Sequence, residues 1–119
     1  MARQSYLEET VVSSAARTAS GDSGVLANYG NASTLRVQLN SAAGTGTTPT
    51  LDVVIEDTLD GTNWNTIGTA FTQVTTGASR QIKDITVPFA DRIRVRWTVG
   101  GTTPSFTFSV IVASQTPDS

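Results

Sequence analysis

The sequence predicts an all-β fold, a single β-sandwich or jelly-roll-like domain of about seven to nine short strands with two similar hairpins. Three observations lead there. The stretch Ile93-Arg94-Val95-Arg96-Trp97 alternates strictly between apolar and polar residues, the period of a half-buried strand. Only 38% of the 119 residues are hydrophobic and 15% charged, the balance being filled by Thr, Ser, Gly, Asn and Gln, which favour strands and turns. No segment of helical period and length competes.

Taken in chain order, Thr10 to Ala16 reads as a first strand, Ser20 to Gly24 as a loop and Val25-Leu26 as a short return strand. Leu35, Val37 and Leu39 then share one face of a strand, and Leu51, Val53 and Ile55 share one face of the next. Asp60-Gly61 marks a tight turn before Trp64, followed by short apolar pieces around Ile67, Phe71 and Val74. A further strand covers Arg80 to Val87 and stops at Pro88. Ile93, Val95 and Trp97 point inward in the next strand, and Phe106, Phe108, Val110 and Val112 in the last. Ile111 and Ala113 are apolar on the nominal outer face there, a hint of a covered surface.

A repeat underlies this pattern. Gly46-Thr-Thr-Pro49 recurs letter for letter as Gly101-Thr-Thr-Pro104, each flanked by alternating strands. Leu35 matches Ile93 at an offset of 58 positions and Leu51 matches Phe106 at 55, so the first connection is three residues longer. Two β-hairpins of one design, each lending an inner face to a shared core, are the expectation. The domain is expected to span residues 10–113, with an N-terminal arm over 1–9 and a polar tail over 114–119.

The functions open to such a chain are bounded by what it lacks. It has no Cys and no His, so disulfides, thiolate sites, the usual general base and the usual zinc ligand are missing, and no cofactor is implied. Asp52 and Glu56 share the outer face of one strand, but ordinary solvated carboxylates fit them better than a catalytic pair facing across a cleft. Asp57, Asp60 and Asn63 crowd one turn without the spacing of a calcium loop, and turn chemistry explains them. A net charge of −2 gives no basic balance for nucleic acid, and no stretch is long and apolar enough to span a bilayer. The first residues carry no apolar signal-peptide core, which predicts synthesis and retention in a cytoplasm. The chain is therefore expected to be a structural or binding module, not an enzyme.

Two features are candidates for docking a partner. Arg92, Arg94 and Arg96 line one outer face, and Arg36 takes the position of Arg94 in the first copy of the repeat. Cross-strand pairing with Asp52, Glu56 or Asp91 is the plainer reading of these arginines, and a stripe for an acidic protein surface the functional one. Tyr6 and Leu7 place two apolar side chains on the otherwise polar arm, where they either reach a neighbouring subunit or begin the first strand. Trp64 is expected to plug the core.

Three stretches, Ala16 to Gly21, Leu51 to Trp64 and Phe89 to Val110, together resemble small β-sandwich proteins encoded among the virion genes of tailed bacteriophages, a group that includes capsid decoration, or cement, proteins. The likeness runs from about Thr10 to Ala113. It implies a non-enzymatic part on the outer surface of a head shell, with the major capsid protein as partner, a homo-oligomer on the virion and synthesis in the cytoplasm of a bacterial host. Another virion component of the neck or tail, and a carbohydrate-binding β-sandwich module, are the alternatives.

Overall fold

The computed structural model describes the backbone of residues 3–118 and the side chains of residues 7–115. Seven strands and no helix occur among them: β1 Arg3–Arg17, β2 Gly21–Asp22, β3 Thr34–Ser41, β4 Thr45–Thr58, β5 Asn65–Ile67, β6 Ser79–Ile85 and β7 Arg92–Asp118. All pairings between these strands are antiparallel. The all-β sandwich expected from the alternation is the fold observed.

β7 organises it. This 27-residue strand serves both layers, its first part pairing with β4 and β2 and its last part with β1 and β3. One layer therefore runs β1-β7-β3-β6, the other β2-β7-β4-β5. Between them lie the side chains the alternation sends inward: Val37, Leu39, Leu51, Ile93, Val95, Phe106, Phe108 and Val110 are fully buried. Trp97 meets Phe108 edge to face with ring centroids 5.4 Å apart, joining the two stretches of β7 across the core. The Arg17 guanidinium lies over both rings, 5.1 Å and 4.9 Å from their centroids, and donates to the Ser13 and Ala15 carbonyls.

The repeat is real, but its strands do not form hairpins. β3 pairs with β6 and with the end of β7, while β4 pairs with β5 and the start of β7. Each layer thus holds the first strand of one copy beside the second strand of the other. The reason lies in the shared tetrapeptide. Gly46 and Gly101 have φ of 104° and 113°, and Thr48 and Thr103 of 46° and 47°, so both copies take one irregular conformation. That conformation bends a continuing strand instead of reversing it. Alternation fixes the face of each residue and leaves the pairing partner open.

The two tetrapeptides pack on each other about a local twofold axis at the pair Thr47 and Thr102. A Cβ added to Gly46 would lie 2.5 Å from the Thr103 carbonyl oxygen, and one on Gly101 2.7 Å from that of Thr48. A left-handed φ is costly for a β-branched residue. Thr48 and Thr103 share one compensation, their hydroxyls donating to the preceding carbonyls at 2.8 Å in each case.

The ends differ from the expected arm and tail. The described residues of 1–9 belong to β1, paired with the end of β7 in a ladder from Arg3 opposite Asp118 to Glu8 opposite Ala113. Leu7 stands opposite Ser114 and is 56% exposed; the backbone of Tyr6 stands opposite Gln115, and its side chain lies outside the described residues. Ala113 is buried, flanked in the ladder by Glu8 and Arg36.

The close approach at the twofold makes a test. Gly101→Ala places a methyl where the backbone of Thr47 and Thr48 stands and forces a φ that side chains avoid, whereas Gly77 has open space around its Cα. We expect Gly101→Ala to lose at least about 1–3 kcal/mol in chemical denaturation and Gly77→Ala to stay within about 0.5 kcal/mol of the parent.

Candidate functional site

The four candidate arginines fall into two groups. Arg92, Arg94 and Arg96 lie on β7 in one layer, Arg36 on β3 in the other. Arg36 pairs with Asp84 opposite it on β6, at 3.4 Å with both side chains well exposed. Such a pair contributes about 0–1 kcal/mol.

Around Glu56 the other arginines build a compact cluster. Glu56 is opposite Arg94 in the ladder, and Val54, two residues before it, is opposite Arg96, so the one carboxylate reaches both. Arg94 Nε donates to Oε1 at 2.8 Å and Arg96 Nε to Oε2 at 3.2 Å, with Asp22 Oδ2 3.8 Å from Arg94. Only 7% of the Glu56 side chain is exposed, so its charge is matched by the two guanidiniums at close range. Arg94 also lies over the Trp64 ring at 4.3 Å. Trp64 is half-buried on this outer face and takes no part in the core cluster, contrary to its expected place as a core plug. Arg92 donates to the Leu59 carbonyl at 2.7 Å and braces the turn.

That turn is closed by its own residues. Asp60 Oδ1 accepts from the amides of Thr62 and Asn63 at 2.8 Å each, and Oδ2 accepts from Asn63 Nδ2 at 2.7 Å. The Asn63 amide first, then that of Thr62, hold the Asp60 carboxyl well below the usual carboxylate range. Its oxygens are spoken for by donors. Among the described residues no group of three or more acidic side chains is placed to hold a metal ion. Asp52 accepts from Gln73 Nε2 at 3.1–3.2 Å.

Two shallow recesses flank these features. One, of about 220 Å³, is lined by Thr34, Leu35, Arg36, Asp84, Thr86 and Gln115. The other, of about 270 Å³, is lined by Asp57, Leu59, Asn65, Pro88, Phe89 and Ala90, and the neighbouring Leu59 and Val87 are 85% and 46% exposed. Sequence reading missed this apolar end; the available signal was an aliphatic residue set inside a turn, Thr58-Leu59-Asp60-Gly61. The Tyr29 hydroxyl is buried near the Glu9 carboxylate, and burial first, Glu9 second, push its ionisation up to about 12.

No family model and no curated protein matches the chain. Solved structures share its fold. The PBSX exported protein XepA superposes with a TM-score of 0.62 at 15% identity, over 91% of this chain and 36% of that one. The SPBc2 prophage-derived protein YomS does so at 0.56 and 11%, over 96% of each chain. The VP2 subviral particle of infectious bursal disease virus gives 0.62 and 12%, over 96% of this chain and 33% of that one. The CBM22-1 xylan-binding domain of Paenibacillus barcinonensis Xyn10C gives 0.52 and 9%, over 92% and 93%. The chain thus spans about a third of XepA and VP2 and nearly the whole of YomS and the xylan-binding domain. At these identities the shared property is the fold.

Two outcomes follow from the site. Glu56→Ala strands two guanidiniums beside a buried gap and should cost about 1.5–3 kcal/mol in denaturant unfolding, more than Asp52→Ala, which frees only the Gln73 amide. The lowered ionisation of Asp60 in the folded state means that its contribution is full above the ordinary carboxylate value and is lost as the pH falls below about 4. Asp60→Ala should therefore melt lower than the parent at neutral pH, and the gap should shrink in melts taken at progressively more acid pH.

Proposed function

We propose that this chain is a non-enzymatic structural part of a bacteriophage virion, a decoration module that binds the outer surface of the head shell through the major capsid protein. The observation that carries the reading is the end-to-end match with YomS, a prophage-derived protein whose whole chain is this fold. The use of the same sandwich within the VP2 subviral particle agrees with it, as does the resemblance of the sequence to small phage virion proteins. On this reading Leu7, Arg36 and Arg96 are the exposed members of the docking set, while Arg92 and Arg94 support the face from beneath. Tyr6 belongs to the same strand as Leu7.

Carbohydrate binding is the second reading, and the xylan-binding domain with this fold favours it. Its weak point is the shortage of ring faces. Trp64 has its ring under Arg94, and Tyr29, Phe71, Trp97, Phe106 and Phe108 are buried. A sugar platform normally needs open aromatic faces.

Particles purified from a producing host distinguish these readings. A decoration protein should sediment with full heads in a fixed ratio to the major capsid protein and be absent from separated tails. Presence on tails alone, or a wholly free pool, would overturn the head assignment. Micromolar binding of the purified chain to a soluble glycan, with none to heads, would put the carbohydrate reading in its place.

A further inference from the structure

The two layers end in four edges, of which two are too short to template another strand and a third is interrupted. β2 and β5 have two and three residues. β1 is regular from Arg3 to Thr10 and then shifts register twice, between Thr10 and Val12 and again between Val12 and Ala15, and such bulges twist that second half of the edge away from a new partner. β6 is different. It keeps unbroken register with β3 from Ser79 to Ile85, and among the described residues no strand pairs with its other side. A regular free edge of this length presents a row of backbone donors and acceptors.

The outward side chains of β6 carry opposite charges on the two sides of Ile82. Arg80, Ile82 and Asp84 stand opposite Asn40, Gln38 and Arg36 and face outward, and all three are exposed, Ile82 by 44%. Ser79, Gln81, Lys83 and Ile85 stand opposite Ser41, Leu39, Val37 and Leu35 and face the core side. We propose that β6 pairs antiparallel with β6 of a second copy of this chain, about a twofold axis through Ile82. Directly opposed residues in such a ladder share a face. Arg80 then meets Asp84 of the second copy, Asp84 meets its Arg80, and the two Ile82 side chains cover each other at the centre. This is the self-complementarity that a twofold interface requires.

Neighbouring registers lose these matches. An axis through Lys83 sets Lys83 against its own copy and Ile82 against Asp84. An axis through Gln81 sets Arg80 against Ile82 and leaves Asp84 beyond the ladder. The inward-leaning Lys83 thus works as a register guard, because it tolerates Gln81 opposite it and rejects a second lysine. Arg36, already 3.4 Å from Asp84, holds that carboxylate on the outer face where the incoming Arg80 meets it. The product is one continuous eight-stranded antiparallel layer formed from two four-stranded ones. A seven-residue edge buries less than the ~800 Å² per partner of a standard stable interface, so the dimer is weak in dilute solution. This pairing goes beyond attachment to a shell and does not depend on it.

Sedimentation equilibrium on the full chain at low salt, up to about 1 mM, tests the proposal. The parent should follow a monomer–dimer curve. Arg80→Asp and Asp84→Arg should each weaken dimerisation by at least about tenfold, since each opposes like charges. The double exchange Arg80→Asp with Asp84→Arg should restore it, and the two single variants mixed should form a heterodimer. Circular dichroism identifies any variant that fails to fold. For the parent itself, amide exchange should slow in β6 as concentration rises and stay constant in β2 and β5. A parent monomeric at about 1 mM, folded single variants that dimerise like the parent, a folded double exchange that stays monomeric, or concentration-dependent protection outside β6 would each overturn it.

Discussion

The fold depends on one strand being able to belong to two sheets. β7 can do so because Gly101-Thr-Thr-Pro104 bends it without ending it, and the bend is held by its twin at Gly46-Thr-Thr-Pro49. Each glycine sits where the other copy's backbone leaves no room for a Cβ. Two sheets that would otherwise meet only through side chains are thereby joined by covalent backbone and by a backbone-to-backbone contact. Trp97 and Phe108, on the two stretches of the same strand, fill the core directly behind that joint.

How much of this the sequence discloses depends on what kind of information a residue carries. Inward and outward faces were legible at Leu35 to Leu39, Leu51 to Ile55, Ile93 to Trp97 and Phe106 to Val112, because burial selects for side-chain polarity at every second position. Pairing was not legible, since a strand facing the core looks the same whichever neighbour it hydrogen-bonds. The repeated tetrapeptide was visible, yet its role as a bend rests on positive φ at Thr48 and Thr103, which threonine rarely adopts. The ladder between residues 3–9 and the last residues of β7 was hidden for a related reason. Its composition is polar, and its order derives from backbone pairing.

The candidate site shows the same division. Glu56 could be named as a partner for the arginines from its place on an outer face, and it is one. That it takes two guanidiniums at once, with Trp64 beneath Arg94, follows from strand register and from the path of the turn after β4. Much of the arginine charge is consequently spent inside the domain. The exposed Arg36, Arg80 and Arg96, with Leu7, Leu59 and Ile82, leave the surface with modest charge and small apolar patches.

The ladder that places Arg3 opposite Asp118 has a mechanical meaning. Tension applied through these two residues loads the hydrogen bonds of β1 and β7 one pair at a time, as in a zipper, and peels the ribbon at low force. Tension applied between Arg3 and Phe106, on opposite strands at opposite ends of the ladder, loads many pairs in parallel, as in shear. The same domain is therefore soft when both strands of its ribbon are pulled apart at one end and stiff when they are pulled from opposite ends, so the direction of load decides whether it yields or holds.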